Sequence, residues 1–308
     1  MYNRISVSKA LKATAPFIAV RTMVYAFTTL IIIIAAIIGL AIISVGNVIS
    51  FWVGLLIFFG GIGFAKWVER YVLYLIKAGH IFALTEYIKT GTAPVTEKGY
   101  KSILAFGTEK VKQYFGATNI AFIADTLISK AVRQIMKFLN RIGNFLSFIP
   151  GAQQIINIIS YILGTALNYI DEAVLSYIFM HQEENNAWKK ACDAIVYYGQ
   201  SWKSMIKGAA KVSVSIFAIR SLIIIVSFFT GMGIGGAFGA VWGLVIGYII
   251  IYALSKILID PYASIIMIND YYAAIEGQQL QADLYAKFEK ASSKFKELLG
   301  RAGESAAA

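Results

Sequence analysis

Charge is scarce in this sequence and unevenly placed. Only 15% of the 308 residues are charged while 58% are apolar, against roughly 25% and 45–50% in ordinary soluble domains. Long tracts carry no charge at all, which is typical of chains whose solvent is a lipid bilayer. The sequence therefore predicts an integral membrane protein, with the net charge of +11 confined to the parts that reach water.

Cysteine and histidine are almost absent, and this excludes several kinds of site. The lone Cys192 has no partner for an intrachain disulfide, and the two histidines have no neighbouring cysteine or histidine to complete a zinc motif. We also find no Ser/His/Asp order, no phosphate loop and no paired carboxylates at fixed helical spacing. We therefore expect no enzyme activity, no metal, no cofactor and no nucleic-acid partner.

Uncharged tracts in two parts of the chain are long enough to cross a bilayer. Residues 22–45 hold no charged residue, and after a short turn residues 48–65 are again uncharged until Lys66. Residues 221–255 form another charge-free tract, with room for two short spans, because a spanning helix needs roughly 20 residues. The sequence therefore predicts an all-α polytopic membrane protein with two helical hairpins, each made of two spans.

A glycine-rich stretch lies inside the second tract. GMGIGG, residues 231–236, matches the G-x-G-x-x-G motif of dinucleotide loops, but such a loop needs a preceding strand and an acidic ribose partner about 20 residues on. That context is missing here. Glycine at every fourth position instead predicts one ridge of a membrane helix, a glycine zipper for contact with another helix, in a homo-oligomer or in a partner membrane protein. The ridge is Gly235, Gly239, Gly243 and Gly247, and Gly231 and Gly233 are expected to mark the hairpin turn.

Two segments of the chain resemble each other. KATAPFIAVRTM, which begins at Lys12, aligns with KVSVSIFAIRSL, which begins at Lys211, so that Arg21 matches Arg220 and a hairpin follows each arginine. Basic residues flank both hairpins at their outer ends. By the positive-inside rule, both hairpins share one orientation and the N- and C-termini are cytoplasmic. The sequence therefore predicts a parallel internal repeat.

Five regions follow from these patterns. In the basic region, residues 80–144, apolar positions such as Ile128, Ala131 and Ile135 have helical spacing. They predict either helices on the inner membrane surface or a cytoplasmic helical subdomain packed on itself. In the next region, residues 145–186, a single membrane crossing would give the second hairpin an orientation that violates the positive-inside rule. We therefore expect a re-entrant or tilted segment there. The regions are 1–79 (first membrane hairpin with an interfacial helix), 80–144 (basic amphipathic helices), 145–186 (apolar, re-entrant or spanning), 187–277 (second membrane hairpin with flanking helices) and 278–308 (amphipathic basic tail).

The tail combines an apolar stripe with lysines. Such a helix can rest on anionic lipid headgroups, where each lysine contributes about 1 kcal/mol, or it can dock on its own protein. The stripe is Leu280, Leu284, Phe288, Ala291, Phe295 and Leu298, and the candidate headgroup ligands are Lys287, Lys290, Lys294 and Lys296.

Residues 168–278 resemble the C-terminal part of choline transporter-like proteins. The resemblance rests on an acid-bearing apolar helix (YIDEAVLSYIF), a basic amphipathic segment with an aromatic pair (beginning WKKACDAIVYYGQ), two spans, and a helix that ends in an acid-glycine pair (IDPYASIIMINDYYAAIEGQ). It covers about a third of the chain and leaves out the further spans and the large extracellular loop of that family. The resemblance implies an organic-cation carrier, whose candidate substrate-binding residues are Asp171, Glu172, Tyr177, Trp202 and Tyr248.

Two functions stay open on the sequence. An acid inside an apolar segment is costly unless it is paired or faces a wet cavity, so Asp171 and Glu172 favour transport of a small solute such as an organic cation. The basic amphipathic helices and the glycine ridge favour a membrane-scaffold or assembly protein that binds anionic lipid and partner helices. After the last uncharged tract, the pair Asp260-Pro261 predicts the start of a helix with Asp260 as its N-cap.

Overall fold

The protein is helical throughout the residues that the computed structural model describes, which are 4–94, 99–115, 118–143, 161, 164, 169–181, 186–238 and 240–307. This part of the chain contains no strand, and four of its helices are long and apolar enough to cross a membrane. The prediction of an all-α protein is confirmed, and the four apolar helices agree with a membrane protein. The helices are α1 (Val7–Ala13), α2 (Ala15–Ile43), α3 (Val48–Val68), α4 (Tyr74–Thr90), α5 (Tyr100–Phe115), α6 (Thr118–Gly143), α7 (Ile170–Met180), α8 (Ala187–Phe238), α9 (Ala240–Leu254), α10 (Asp260–Ile275), α11 (Ala282–Ala291) and α12 (Ser293–Ala307).

Two π-helical segments join consecutive helices without a break. Segment π1 (Glu69–Leu73) connects α3 to α4, and segment π2 (Ser255–Ile259) connects α9 to α10. Each therefore lies where a membrane helix continues into a more polar helix. Single π-turns of this kind occur often at functional sites because they shift the helix face by one residue.

The first pair of spans, α2 and α3, packs through glycine. Gly46 adopts a left-handed conformation (φ 82°) in the turn, and Asn47 caps α3 by accepting a hydrogen bond from the backbone N–H of Ser50 at 2.7 Å. A Cβ on Gly39 would lie 2.7 Å from the carbonyl oxygen of Gly54, and a Cβ on Gly54 would overlap the carbonyl oxygen of Gly39. The backbones of the two helices thus meet directly at these glycines.

In the second pair of spans, α8 and α9, the structure corrects the predicted glycine ridge. Gly235 belongs to α8, Gly243 and Gly247 belong to α9, and Gly239 lies outside the described residues. Gly235 is therefore on a different helix from Gly243 and Gly247, and these three glycines do not form one ridge. Gly247 faces the other helix of the same chain, where a Cβ would lie 3.3 Å from the carbonyl oxygen of Ser227. Contact with a homo-oligomer partner or another membrane protein through these glycines stays a prediction.

The predicted turn at Gly231 and Gly233 is also wrong. Helix α8 continues through both residues to Phe238, and α9 begins at Ala240. The reason is length, since a turn at Gly231 would leave Ser221 to Thr230 as the whole uncharged part of the third span. A span needs roughly 20 residues, and a helix that extends to Phe238 comes close to that length.

Outside the four spans the remaining helices form a bundle with a protein core. Helix α6 buries Ile128, Ala131 and Ile135, which are at most 1% exposed, against the rest of the bundle. Of the two alternatives for region 80–144, the described side chains of α6 therefore support the helical subdomain packed on itself. Helices α4, α7, α10 and the first half of α8 supply much of the same core.

Region 145–186 is described only in part. Its helix α7 lies in the centre of the bundle, where Ala173, Val174 and Ile178 are fully buried. The apolar residues of α7 therefore pack in the protein core. The predicted re-entrant or tilted passage covered residues 145–186, and of these residues 145–168 lie outside the described residues except for Tyr161 and Gly164.

The tail is docked on the protein. Helices α11 and α12 contact α6 and α8, and the stripe residues Phe288, Phe295 and Leu298 are fully buried there. The apolar stripe is broken into two helices at Ser292, whose side chain accepts a hydrogen bond from the backbone N–H of Phe295 at 3.0 Å. Of the two alternatives for the tail, the structure therefore shows the one in which the tail docks on its own protein.

Candidate functional site

A polar cavity of about 390 Å³ lies where the two pairs of spans meet the bundle. The uncharged part of α2 runs from Thr22 to Ile43, which is about 33 Å of helix at 1.5 Å per residue and matches the roughly 30 Å of bilayer hydrocarbon. The cavity residue Arg21 therefore lies at the membrane boundary. The cavity is lined by Arg21, Tyr25, Lys77, Arg133, Tyr169, Glu172, Arg220, Ser255, Lys256, Ile259 and Asp260.

Arg21 is buried, at 2% exposure, and contacts side chains of α4 and α10. Its Nη1 donates to Nδ1 of His80 at 3.2 Å, and its Nη2 lies 3.8 Å from Oδ2 of Asp260. Because His80 accepts at Nδ1, its Nε2 carries the proton and donates to the hydroxyl of Thr14 at 3.0 Å. Thr14 in turn donates to the carbonyl oxygen of Ala10 at 2.9 Å. His80 is thus a neutral, satisfied histidine, as its place in an amphipathic stretch predicts.

Asp260 has three side-chain partners from separate parts of the chain. Besides Arg21, it accepts from Lys256 Nζ at 3.3 Å and from the hydroxyl of Tyr169 at 3.1 Å. The predicted N-cap role of Asp260 is wrong, because π2 runs directly into α10 and the side chain makes no capping hydrogen bond. Burial, together with the negative charge of Asp260, raises the pKa of Tyr169, so this phenol stays protonated and acts as a donor.

A second charged cluster adjoins the cavity. Lys77 Nζ lies 3.0 Å from Oδ2 of Asp171 and 3.1 Å from Oε1 of Glu172. Burial raises the pKa of Glu172, and the neighbouring Lys77 opposes the shift. Burial and the charge of Asp171 raise the pKa of Asp125 to about 7. Lys77 thus pairs with two carboxylates, and its charge also acts on a third carboxyl group, that of Asp125.

The cavity carries more basic than acidic groups. Glu172 and Asp260 are its acids, and their charges are partly met by the pairs just described. Among the described residues, three buried polar atoms at the cavity have no hydrogen-bond partner: Nε of Arg21, Oε2 of Glu172 and the hydroxyl of Ser255. Its chemistry is therefore that of a site for a small anionic group with room for further polar contacts. The basic residues are Arg21, Lys77, Arg133, Arg220 and Lys256.

The five candidate substrate-binding residues lie in different places. Glu172 lines the polar cavity, and Asp171 lies beside it in the ion pair with Lys77. Tyr177 lines a separate pocket in the bundle, Trp202 packs against the bundle core, and Tyr248 is 71% exposed on the span α9. The structure thus brings the two acids together and leaves the three aromatic residues apart from them.

The separate pocket at Tyr177 is aromatic. It measures about 260 Å³, and the rings of Tyr177 and His181 are 4.0 Å apart, with Tyr197 at 5.8 Å from Tyr177. Tyr272 and Glu276 complete its polar lining. Aromatic faces next to a carboxylate are a setting in which organic cations bind.

The four tail lysines lie on the solvent side of the docked helices. Lys287 pairs with Asp283 at 2.7 Å, Lys294 with Glu297 at 2.8 Å, and Lys296 lies 3.8 Å from Glu289. Exposed pairs of this kind contribute at most about 1 kcal/mol, so they leave these lysines able to contact other groups. Their contact with lipid headgroups, like that of Lys290, stays a prediction.

Arg220, Arg21 and Asp260 were not predicted as site residues. A signal for the two arginines was present, because they are the matched basic residues of the two similar segments and both line one cavity. The sequence around Asp260 indicated a different role, that of a helix N-cap. Its contact with Arg21 joins opposite ends of the chain and has no signature in a single sequence. Among the described residues, no group of three or more histidine, cysteine or acidic side chains is placed to hold a metal ion.

No protein-family model, curated protein or solved structure matches this chain. The resemblance to choline transporter-like proteins is therefore neither supported nor opposed by relatives. What the site binds has to be argued from its own geometry and charge.

Proposed function

We propose that this integral membrane protein binds a small anionic group, such as a phosphate or carboxylate, in the cavity between its two pairs of spans. The observation that carries the proposal is the lining itself, in which five basic side chains face two acids. A buried guanidinium beside unpartnered polar atoms is well suited to an anion, since hydrogen bonds between charged groups are about twice as strong as neutral ones.

This proposal favours the lipid- and partner-binding alternative over carriage of an organic cation through the same cavity. An organic cation would meet like charges from Arg21, Arg220 and Lys256, which line the cavity from both pairs of spans. Beyond the cavity, the described spans contain long stretches without a charged side chain, so they provide no charged path for a polar solute across the membrane. Binding at the boundary requires no such path.

The similar segments strengthen the proposal. If the chain is a parallel repeat, Arg21 and Arg220 are equivalent residues, and the cavity lies at the junction of the two copies. Membrane proteins with internal repeats often bind their ligands at the interface between repeats. On this view π1 and π2 are corresponding adjustments after the second span of each copy.

The test is isothermal titration of inorganic phosphate into the detergent-purified protein. Arg220→Gln is expected to weaken phosphate binding about tenfold or more, because a hydrogen bond to a charged group contributes about 1.5–3 kcal/mol. Lys287→Gln is the matched control, since it removes an exposed basic residue of the tail and should leave binding unchanged. Equal affinities in the wild type and Arg220→Gln would refute the proposal.

A second candidate function rests on the aromatic pocket. Tyr177, Tyr197, Tyr272 and Glu276 offer ring faces and a carboxylate to a quaternary ammonium group, which would fit an organic-cation site on the bundle. Titration with tetramethylammonium tests it. Binding that is lost in Tyr197→Ala and kept in Arg220→Gln would assign the cation to this pocket, and an absence of any binding would remove this candidate.

We further propose that both termini and the bundle face the cytoplasm, as the positive-inside rule predicts. Glu304 in the tail is exposed and Val45 in the first turn is 68% exposed, while the native Cys192 is fully buried. A membrane-impermeant thiol reagent applied to intact cells should therefore label Val45→Cys and spare Glu304→Cys. Labelling of Glu304→Cys in intact cells would reverse the orientation.

A further inference from the structure

An apolar groove lies next to the polar cavity, deeper in the membrane. It measures about 470 Å³ and runs between the two pairs of spans, with walls from α2, α3 and α9. Both volumes fall in the range of roughly 300–1,000 Å³ that is typical of ligand sites. The groove is lined by Ile32, Phe58, Ile62, Lys66, Tyr248, Ile249 and Tyr252.

The groove and the cavity follow the same helix faces. On α2, the cavity residue Tyr25 and the groove residue Ile32 are two turns apart, which is about 10 Å along the helix. From α9 into π2, the groove residue Tyr252 and the cavity residue Lys256 are one turn apart. The polar space at the boundary thus continues into an apolar space that points toward the bilayer midplane.

A hydrogen-bonded cluster marks the junction between the two spaces. Lys66 Nζ lies 2.6 Å from the hydroxyl of Tyr252 and 3.0 Å from Oε2 of Glu69, and the Tyr252 hydroxyl donates to the same carboxylate oxygen at 2.9 Å. This cluster joins the end of α3 and the start of π1 to α9. Lys66 and Tyr252 line the groove, so the cluster forms the polar end of this otherwise apolar space.

We infer that the ligand is a membrane phospholipid, with its phosphate in the polar cavity and an acyl chain in the apolar groove. This inference rests on the proposed function, since it names the molecule that carries the anionic group. A phosphate at the depth of Arg21 matches the headgroup level of a bilayer, and the basic lining complements its charge. A free hydrophilic anion would use the cavity and leave the groove without a role.

The experiment compares three probes on the delipidated, detergent-purified protein. The probes are phosphatidylglycerol, inorganic phosphate and diacylglycerol, which present the phosphate with chains, the phosphate alone and the chains alone. Native mass spectrometry measures the bound lipid, and titration measures the phosphate. Phosphatidylglycerol is expected to bind at least tenfold more tightly than either of the other probes, since only this probe fills both spaces.

Two groove variants separate the inference from the proposed function. Ile32→Trp fills the groove and should lower phosphatidylglycerol binding about tenfold while inorganic phosphate binding is kept. Ile34→Trp is the matched control, because Ile34 lies on the same helix, is 46% exposed and does not line the groove. Tyr248→Ala, at a position that is 71% exposed, opens the groove wall without disturbing a core and serves if Ile32→Trp folds poorly.

The outcomes are distinct. If neither groove variant changes phosphatidylglycerol binding, the acyl-chain assignment is wrong while the anion site stands. If phosphate binds as tightly as phosphatidylglycerol, the ligand is a free anion and the inference is overturned. If Arg220→Gln leaves the binding of both probes unchanged, the proposed function itself fails.

Discussion

Arg21 and Asp260 lie 3.8 Å apart, between Nη2 and Oδ2, although they belong to α2 and α10, near opposite ends of the chain. Arg21 is 2% exposed, and the side chain of Asp260 is 14% exposed. The pair joins α2 to α10, and both residues line the polar cavity. Loss of either residue should therefore change the stability of the protein.

Asp260→Ala is expected to destabilise the protein by about 3 kcal/mol, because it removes one of the two carboxylates, with Glu172, that offset the charge of the buried Arg21 guanidinium. Tyr169 and Lys256 lose the same acceptor. Thermal unfolding in detergent micelles measures the change. Asp283→Ala provides the control, since its pair with Lys287 is exposed and its loss should leave the unfolding temperature unaltered. A wild-type unfolding temperature in Asp260→Ala would contradict the role of this contact.

Stability should fall as the pH rises from about 4 to 7. Burial and Asp171 raise the pKa of Asp125 to about 7 in the folded protein, whereas an unfolded aspartate titrates near 3.9. The unfolded chain therefore binds fewer protons in this window, and the stabilisation that is present below pH 4 is lost by roughly 1–4 kcal/mol as Asp125 ionises.

Asp125→Asn tests the origin of that pH dependence. The amide has no proton to lose, so the unfolding temperature of the variant should change less between pH 5 and 8 than that of the wild type. Lys77, Asp171 and Glu172 also act on Asp125 and remain in place. An unchanged slope in Asp125→Asn would show that another group controls the pH response.

The backbone contact between Gly39 and Gly54 should tolerate no side chain. Gly54→Ala places a Cβ onto the carbonyl oxygen of Gly39 and is expected to cost about 1–3 kcal/mol, as overpacking usually does. Gly60→Ala in the same helix is the matched control, because a Cβ there meets no atom within 4 Å. Chemical unfolding in mixed micelles compares the two, and equal stability would argue that α2 and α3 can separate without penalty.

Docking of the tail depends on the absence of a side chain at Gly199. A Cβ at that position would overlap the ring of Phe288, which is fully buried against α8. Gly199→Ala should therefore release α11 and α12 and make the tail about tenfold more sensitive to limited proteolysis. Gly300→Ala, where a Cβ meets nothing within 4 Å, should leave the cleavage rate as it is. Resistance of Gly199→Ala to the protease would mean that Phe288 is not needed for docking.

Local patterns predicted some features well and others poorly. The uncharged tracts predicted the spans because each apolar residue favours the bilayer largely independently of its neighbours. The spacing of Gly235 to Gly247 was ambiguous, since glycine at every fourth position reads the same along one helix and across a turn. Only the observed helix ends, at Phe238 and Ala240, separate the two readings.

The site shows the same contrast. Asp171 and Glu172 were predicted because acids in an apolar helix are conspicuous, and they do meet a cation, Lys77. The aromatic residues Tyr177, Trp202 and Tyr248 were grouped with them by a resemblance. The fold separates them, because Trp202 and Tyr248 lie on other helices and Tyr177, although on α7, lines a different pocket. Asp260 looked like a helix cap since Asp-Pro commonly starts a helix, but continuity through π2 leaves its carboxylate free to pair with Arg21.

The sequence by itself determined that the chain is helical and that four stretches suit a membrane, because the transfer of apolar residues into lipid is nearly additive along the chain. The tertiary structure alone decided that Arg21, Arg220 and Asp260 line one cavity and that the tail covers the bundle. These contacts join distant parts of the chain, and their free energy depends on burial and on charges that only the folded arrangement brings together.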